Sequence, residues 1–193
     1  MDIIIASNNK GKINEYRNIL GALGYNVYSQ SEKNINIEVE ETGTTFEENA
    51  ILKAQAIYDK THERVLSDDS GLEVEALNNE PGIYSARYKG IQTEEGRRKA
   101  ILEELEGCTN RKARFVCCIC YIDENGEKHL FKGIWNGEIA LKEEGSNGFG
   151  YDPIFISEDG NGKTTACLPT EFKDTHSHRA KAVAMLYDYL KNK

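Results

Sequence analysis

The stretch Ser67-Asp68-Asp69-Ser70-Gly71 sets two adjacent carboxylates, two hydroxyls and a glycine at the end of an apolar run led by Val65 and Leu66. Consecutive residues of an extended strand face opposite ways, so at most one of Asp68 and Asp69 can look into a given cleft. That leaves one carboxylate for chemistry, such as holding a hard cation or taking a proton from water, and one for scaffolding. The same residue types also write an ordinary polar turn. What surrounds the stretch must decide between the two readings.

Five other stretches could join such a site. Asp2 to Ala6 reads as a buried strand, followed by the polar run Ser7-Asn8-Asn9-Lys10-Gly11-Lys12 and then a helix with Ile13, Tyr16, Leu20 and Leu23 on one face and Gly24 as its stop. A strand feeding a helix N-terminus through such a run is a ready anion site, with Lys12 adding a full charge, although the glycine spacing is not that of a Walker loop. A plain helix start with an asparagine cap fits the same residues. Ile35 to Glu41 alternates as a strand whose period turns Glu41 inward, where a carboxylate needs a partner such as a cation; a strand already ended, with Glu41 solvated, is the other reading. Thr45-Phe46-Glu47-Glu48 is a capping box opening a helix to about Lys60, with Phe46, Ala50, Ala54 and Ile57 buried and Asn49 and Lys53 together on another face.

Gly148-Phe149-Gly150-Tyr151-Asp152-Pro153 lets an aromatic ring stand free of the backbone to stack on a flat heterocycle, with Asp152 able to accept from its N–H groups; a packed glycine-rich turn is the simpler reading. A last helix from about Ser177 carries Ala182, Val183, Leu186 and Leu190 inward and places His178 and Arg179 in its first turn, where the macrodipole disfavours cations. An anion or polar ligand at that end would reconcile the two; a satisfied local histidine is the other reading of His178.

The elements that must position these groups suit one α/β domain over residues 1–193, divided into two lobes. The central strand is expected to stop at the aspartate pair, with Leu72 to Leu77 as a separate edge or hairpin strand and Pro81-Gly82 as a turn. Arg87, between Tyr84 and Tyr88, reads as structural, stacked on a ring or paired with an acid. A third helix spans about Thr93 to Leu105, its Arg97-Arg98-Lys99 run forming a solvated face, and Ala113–Ile122 and Leu130–Leu141 form an antiparallel hairpin. A net charge of −8 argues against a general nucleic-acid binder. The longest apolar run, Phe115 to Ile122, is too short to cross a bilayer, and the N-terminus lacks the flank of a secretory signal, so a cytoplasmic protein with no membrane partner is expected. Five cysteines, three of them (Cys117, Cys118, Cys120) crowded on one apolar strand, read as reduced core residues rather than a zinc site.

Taken together these stretches resemble the Ham1-type, inosine-triphosphatase-like family of pyrophosphatases acting on non-standard purine nucleoside triphosphates. The likeness rests on Ser7-x-Asn9-x-x-Lys12, on Glu40-Glu41-Thr42-Gly43 with Thr45-Phe46-x-Glu48-Asn49-Ala50, and on Ser67-Asp68-Asp69-Ser70-Gly71-Leu72. It continues through Pro81-Gly82-Ile83-Tyr84-Ser85-Ala86-Arg87-Tyr88, Phe149-Gly150-Tyr151-Asp152-Pro153 and Ser177-His178-Arg179, in order along nearly the whole chain. The resemblance implies an elongated α/β fold, a long mixed sheet with flanking helices forming two lobes around a central cleft, and a homodimer. It implies Mg²⁺-dependent hydrolysis of ITP, dITP and XTP to the monophosphate and pyrophosphate. By the same resemblance Ser7, Asn8, Asn9, Lys10, Gly11 and Lys12 hold the triphosphate with Lys53, Glu41 and Asp69 bind Mg²⁺, Asp69 accepts the proton of water, and Ser70 touches substrate. Phe149, Gly150, Tyr151, Asp152, Lys173, His178 and Arg179 hold the base. Ser7 stands where many members carry threonine and keeps the hydroxyl.

The residue chemistry agrees with these implications. Attack at the α-phosphorus needs charge neutralisation more than a covalent intermediate, which lysines and a divalent cation supply. A 6-keto purine presents an acceptor where adenine presents a donor, so donation from Arg179 or His178 would discriminate against adenine but not against guanine. Two other readings are a Maf-type pyrophosphatase of modified pyrimidine nucleotides and a non-enzymatic nucleotide sensor. The Phe149–Asp152 turn weighs against the first, and the pairing of Glu41 with Asp69 against the second.

Overall fold

Ile3, Ile4 and Ile5 are fully buried, as the unbroken apolar run of a strand covered on both faces requires. They belong to β1 (Asp2–Ile5) of a computed structural model that describes residues 1–192, with Gly11 and Glu15 placed only through the backbone of their helix. There follow α1 (Lys10–Gly21), β2 (Asn26–Ser29), α2 (Phe46–Thr61), β3 (Val65–Val74), β4 (Glu80–Pro81) and α3 (Glu94–Glu104). The chain then runs through β5 (Lys112–Ile122), β6 (Lys128–Ile139), β7 (Phe155–Ser157), α4 (Thr170–His176) and α5 (His178–Lys191). The strands make one seven-stranded mixed sheet in the order β2-β1-β3-β5-β6-β7, with β4 paired to β3, and helices flank it. Two compact units divide the chain: Met1–Asp69 with Cys118–Lys132 and the chain from Ala182 on, and Ser70–Cys117 with Gly133–Lys181.

In the first unit β1 pairs in parallel with both β2 and β3, Ile5 lying opposite Ser29 and Leu66. That register brings the residues after β1 level with the middle of β3. Asn9 caps α1 by accepting the Lys12 N–H at 3.1 Å, so Lys10 and Lys12 belong to the helix's first turn rather than to a loop before it. Thr45 caps α2 as expected, and Glu48 reaches back, chiefly to the Thr44 N–H at 2.6 Å. Ile4, Ala6, Ile35, Ala50, Ala54, Ile57, Val65, Cys120 and Ile122 pack as this unit's core.

Two expectations fail here. Residues 35–41 form no strand, although Ile35 is buried, Ile37 and Val39 are half-buried and the residues between them are exposed. The alternation reports which side faces the core; the ladder needs a neighbouring edge, and Ile37 offers its carbonyl instead to the Gln30 side chain at 3.1 Å. The short, partly polar β2 has too weak a pattern to stand out. Likewise β3 does not end at the aspartates: it runs ten residues unbroken through Ser70 and Gly71 to Val74, which removes both the polar turn and the separate strand at 72–77. A 3₁₀ turn, Glu75–Leu77, follows instead.

The second unit packs Leu72, Val74, Tyr88, Ile101, Leu105, Phe115, Trp135, Ile139, Tyr151, Ile154 and Phe155 as its core. The hairpin of β5 and β6 forms as expected, and β7 adds antiparallel to β6 with Gly137 opposite Ser157. The short helix α4 was not legible, since seven residues give too little periodicity. Arg87 stacks over Tyr84 at 5.4 Å, the structural role anticipated for it. Cys117, Cys118 and Cys120 are buried thiols, with burial first among the causes that push Cys118 up to about 12. Among the described residues no helix is long and apolar enough to cross a membrane.

Gly137 marks where β7 comes closest to β6: a Cβ there would stand 2.2 Å from the Ile156 carbonyl oxygen and 2.8 Å from the Phe155 ring. Gly137→Ala is therefore expected to cost about 1–3 kcal/mol by forcing the strands apart. The urea midpoint, followed by the fluorescence of Trp135, the chain's single tryptophan, checks this. An unchanged midpoint would show that the strands separate freely.

Candidate active site

Both aspartates of β3 are buried, Asp68 at 3% and Asp69 at 8% exposure, and each meets a lysine. Asp68 Oδ2 lies 2.9 Å from Lys12 Nζ, which the α1 first turn delivers to that side of the strand. Asp69 Oδ1 lies 3.5 Å from Lys53 Nζ, which also donates to Glu41 Oε1 at 2.9 Å. The strand's alternation thus divides the two carboxylates as the sequence required, and Glu41 does turn inward to a cation. Of the other residues expected to hold phosphate, Ser7 accepts the Asn9 N–H at 3.1 Å, and Asn8, Asn9 and Lys10 are exposed around the α1 N-terminus. Gly11 lies in the same turn, and beyond its backbone it is outside the described residues.

Glu41 and Asp69 share one ammonium, so this group carries more negative than positive charge. Burial, first, lifts the Asp69 carboxyl above the ordinary aspartate value; Lys53 pulls it down, Glu41 adds to the rise, and Asn49 and Lys12 oppose it. For Lys53, burial alone would lower the ammonium, but Asp69, Glu41 and Asp68 outweigh it and hold it above the usual lysine value. A carboxylate made more basic in this way, beside a second carboxylate, can take a proton from water or hold a divalent cation.

Asn49 is a member of this group that its helical spacing from Lys53 only hinted at. It is fully buried, its Oδ1 accepts the Gly43 N–H at 2.9 Å, and its amide faces Asp69. Gly43 has to be glycine, because a Cβ would stand 2.6 Å from that Oδ1. A glycine six residues before a buried amide was the available signal.

In the second unit, Arg179 Nη2 donates to Ser70 Oγ at 3.4 Å, and the His178 ring stacks on Phe115 at 4.9 Å with 14° between planes. Both residues are buried at the α5 N-terminus. Asp152 is buried too: its Oδ2 accepts the Phe149 N–H at 3.0 Å and pairs with Lys173 Nζ at 2.5 Å, while Oδ1 takes the Thr165 hydroxyl at 3.1 Å. Lys173 also sits 4.4 Å over the Phe149 ring, which is 60% exposed. Tyr151 turns the other way and is buried, its hydroxyl donating to the Ser85 carbonyl at 2.7 Å. Of the two rings, then, Phe149 alone offers a free face.

The Arg97-Arg98-Lys99 run is not one solvated face. Lys99 is exposed, but Arg97 caps the Ile91 carbonyl at 2.9 Å and Arg98 reaches the Gly150 carbonyl at 2.9 Å. A second acidic group lies elsewhere in the first unit: Asp123, Glu127 and His129 gather their ligand atoms within 4.8 Å. Asp123 Oδ1 there accepts the N–H groups of Asn125 and Glu127, and His129 bonds with Tyr189, so turn structure already accounts for it.

The model of the Ham1 family matches residues 3–189. The chain is 48% identical over 190 residues to a dITP/XTP pyrophosphatase of Staphylococcus aureus and 46% identical to one of Staphylococcus epidermidis, each match covering 98% of this chain and 96% of the relative. Its fold superposes on the structure of the Staphylococcus aureus Ham1 protein with a TM-score of 0.94 at 47% identity, covering 100% of this chain and 99% of that one. A HAM1 protein from Coxiella burnetii gives 0.94 at 39% identity, with both chains covered in full. The chain belongs to the Ham1 family.

Proposed function

We propose that this chain hydrolyses the purine nucleoside triphosphates ITP, dITP and XTP to the monophosphate and pyrophosphate, removing them from the nucleotide pool. The observation that carries the reading is the Lys53 ammonium held against Glu41 and Asp69 beside a second lysine–aspartate pair. The activity named for its relatives in Staphylococcus points the same way. We take the two units as lobes of one catalytic domain, and the enzyme as a cytoplasmic homodimer.

Two carboxylates that already accept a cation fit Mg²⁺, a hard ion that takes carboxylate oxygens and retains water and phosphate oxygens. Glu41 and Asp69 would hold it, and when bound it neutralises phosphate charge and acidifies water. Lys12 and Lys53, with the backbone and side chains of Ser7 to Lys10, bind and orient the triphosphate. Asp69 takes the proton of the attacking water as its oxygen bonds to the α-phosphorus and the bond to the departing pyrophosphate breaks. Phe149 stacks on the base, and Asp152, Lys173, His178 and Arg179 supply the polar contacts to its edge, with Ser70 meeting the substrate through the hydroxyl that Arg179 orients.

Pyrophosphate release from ITP, XTP, GTP, ATP and TTP, with Mg²⁺ and with chelator, tests the reading. Release from ITP and XTP that the chelator abolishes is expected; preference for TTP would move the chain to the Maf-type activity, and binding without release would make it a sensor. Asp69→Asn should lower turnover by about 10²–10⁴-fold while nucleotide still binds. An equal loss from replacing Asp68 alone, with the fold intact, would contradict the role given to Asp69.

Lys53→Met leaves Glu41 and buried Asp69 without their shared cation and should destabilise the protein by about 1–3 kcal/mol at neutral pH. The Asp69 carboxyl, already raised by burial, then titrates still higher in the folded state than in the unfolded chain. A raised carboxyl pKa favours folding at low pH and is lost as pH rises, so the deficit should shrink on acidification. Mg²⁺ should raise the melting midpoint of the variant more than that of the wild type; equal shifts would place the cation elsewhere.

A further inference from the structure

The segment from Gly148 to Asp152 belongs to no helix or strand until Asp152, and Gly148 and Gly150 carry φ of +77° and +62°. Its downstream end is fixed by Tyr151 and Asp152 through the bonds already described. Its middle is held differently: both backbone groups of Gly150 are gripped by side chains of α3. The Gly150 N–H donates to Glu94 Oε2 at 2.8 Å, and its carbonyl accepts from Arg98 Nη1 at 2.9 Å. Glu94 and Arg98 lie one helical turn apart, with 4.0 Å between their charged atoms. The rest of the Arg98 fork is occupied by Glu143, which accepts from Nε at 3.0 Å and from Nη2 at 3.2 Å. The guanidinium is thereby locked in one orientation, and only 13% of the side chain is exposed.

Gly150 sits between the outward Phe149 and the inward Tyr151, and without a Cβ it is free to rotate about φ and ψ. Holding its N–H and its C=O at once removes that freedom and determines where the Phe149 ring stands. Charge-assisted bonds to a planar fork are the strongest way to do this from a surface helix. A helix that needed only a solvated face would not spend both residues on one distant residue's backbone.

We propose that Glu94 and Arg98 are positioning residues that present the Phe149 ring to the purine and so set base selectivity. This rests on the reading that Phe149 to Asp152 hold the base. The residues act through Gly150 and touch no reacting atom, so their loss should appear in substrate affinity and discrimination more than in the chemical step.

The test compares Arg98→Met, Arg98→Lys and Glu94→Gln with wild type in KM and kcat for dITP and dATP, in affinity for IMP, and in inhibition by inorganic triphosphate. Arg98→Met should raise the KM for dITP and weaken IMP binding by about tenfold, as loss of a charge-assisted bond predicts, with kcat falling less. The preference for dITP over dATP should drop in parallel, while inhibition by triphosphate, which the lysine cluster binds, stays within about twofold. Arg98→Lys should recover part of the loss because one donor to the Gly150 carbonyl remains, and Glu94→Gln should give a smaller effect because an amide oxygen still accepts. Unchanged KM and selectivity in all three variants would overturn the proposal. So would a uniform loss of kcat, IMP binding and triphosphate inhibition, which would mark Arg98 as a brace for folding alone. Phe149→Ala separates the two levels. If it weakens IMP binding and the α3 variants do not, the clamp is wrong and the base reading stands; if neither does, the base reading fails and the clamp falls with it.

Discussion

Two consecutive aspartates are buried in the middle of a strand, and a buried carboxylate is tolerable only with a cation and hydrogen bonds beside it. Much of the first unit can be understood as meeting that condition. Because the strand alternates, the two carboxylates need cations from opposite sides, and two different helices supply them: α1 brings Lys12 to Asp68 and α2 brings Lys53 to Asp69. The parallel pairing of β1 with β3 makes the first possible, since it sets the start of α1 level with the aspartates. Ser67, on the strand just before them, donates its hydroxyl to the Ala50 carbonyl at 2.5 Å and ties the strand to α2, the helix that carries Lys53.

The same logic recurs around the residues proposed to hold the purine, with backbone groups rather than carboxylates as the objects to be satisfied. Asp152 collects the Phe149 N–H, the Thr165 hydroxyl and Lys173, and a Cβ on Gly148 would meet its Oδ2 at 2.0 Å. A side chain offered to solvent as a stacking surface cannot be fixed by its own packing, so its neighbours in the chain must be fixed instead. Tyr151 and Asp152 do this through their own buried side chains, and the α3 pair through Gly150, the residue directly after Phe149.

The geometry of the candidate site was legible in the sequence where it depends on residue type and strand parity: the pairing of Glu41 with a cation, the opposite facing of Asp68 and Asp69, the exposed aromatic after Gly148 and the place of His178 and Arg179 at the start of α5. The last helix, α2 and the β5–β6 hairpin were legible because they are long and strongly patterned. What was missed depends on neighbours in space. Residues 35–41 have a strand's alternation without a strand's partner. Ser70-Gly71 looks like a turn, yet it continues a strand because the Leu72 N–H finds the Ser85 hydroxyl at 2.8 Å, a contact thirteen residues away in sequence. Arg98 looks like any surface arginine until the loop it grips, 52 residues on, is in view.

Among the described ion pairs, Glu41, Asp68 and Asp69 meet Lys12 and Lys53, three carboxylates set against two ammonium groups, an excess of one carboxylate. That excess is suited to the proposed reaction. A nucleoside triphosphate is strongly anionic, and the overall charge of −8 would repel it unless cations were available locally. In the arrangement described the lysines are engaged by carboxylates. If a divalent cation meets Glu41 and Asp69, their hold on Lys53 is relaxed and its ammonium becomes available to phosphate. In the proposed reaction the carboxylates are keepers of the lysines before substrate arrives and ligands and base once it is bound. A site with equal numbers of each charge would have no such reason to take up a cation along with its nucleotide.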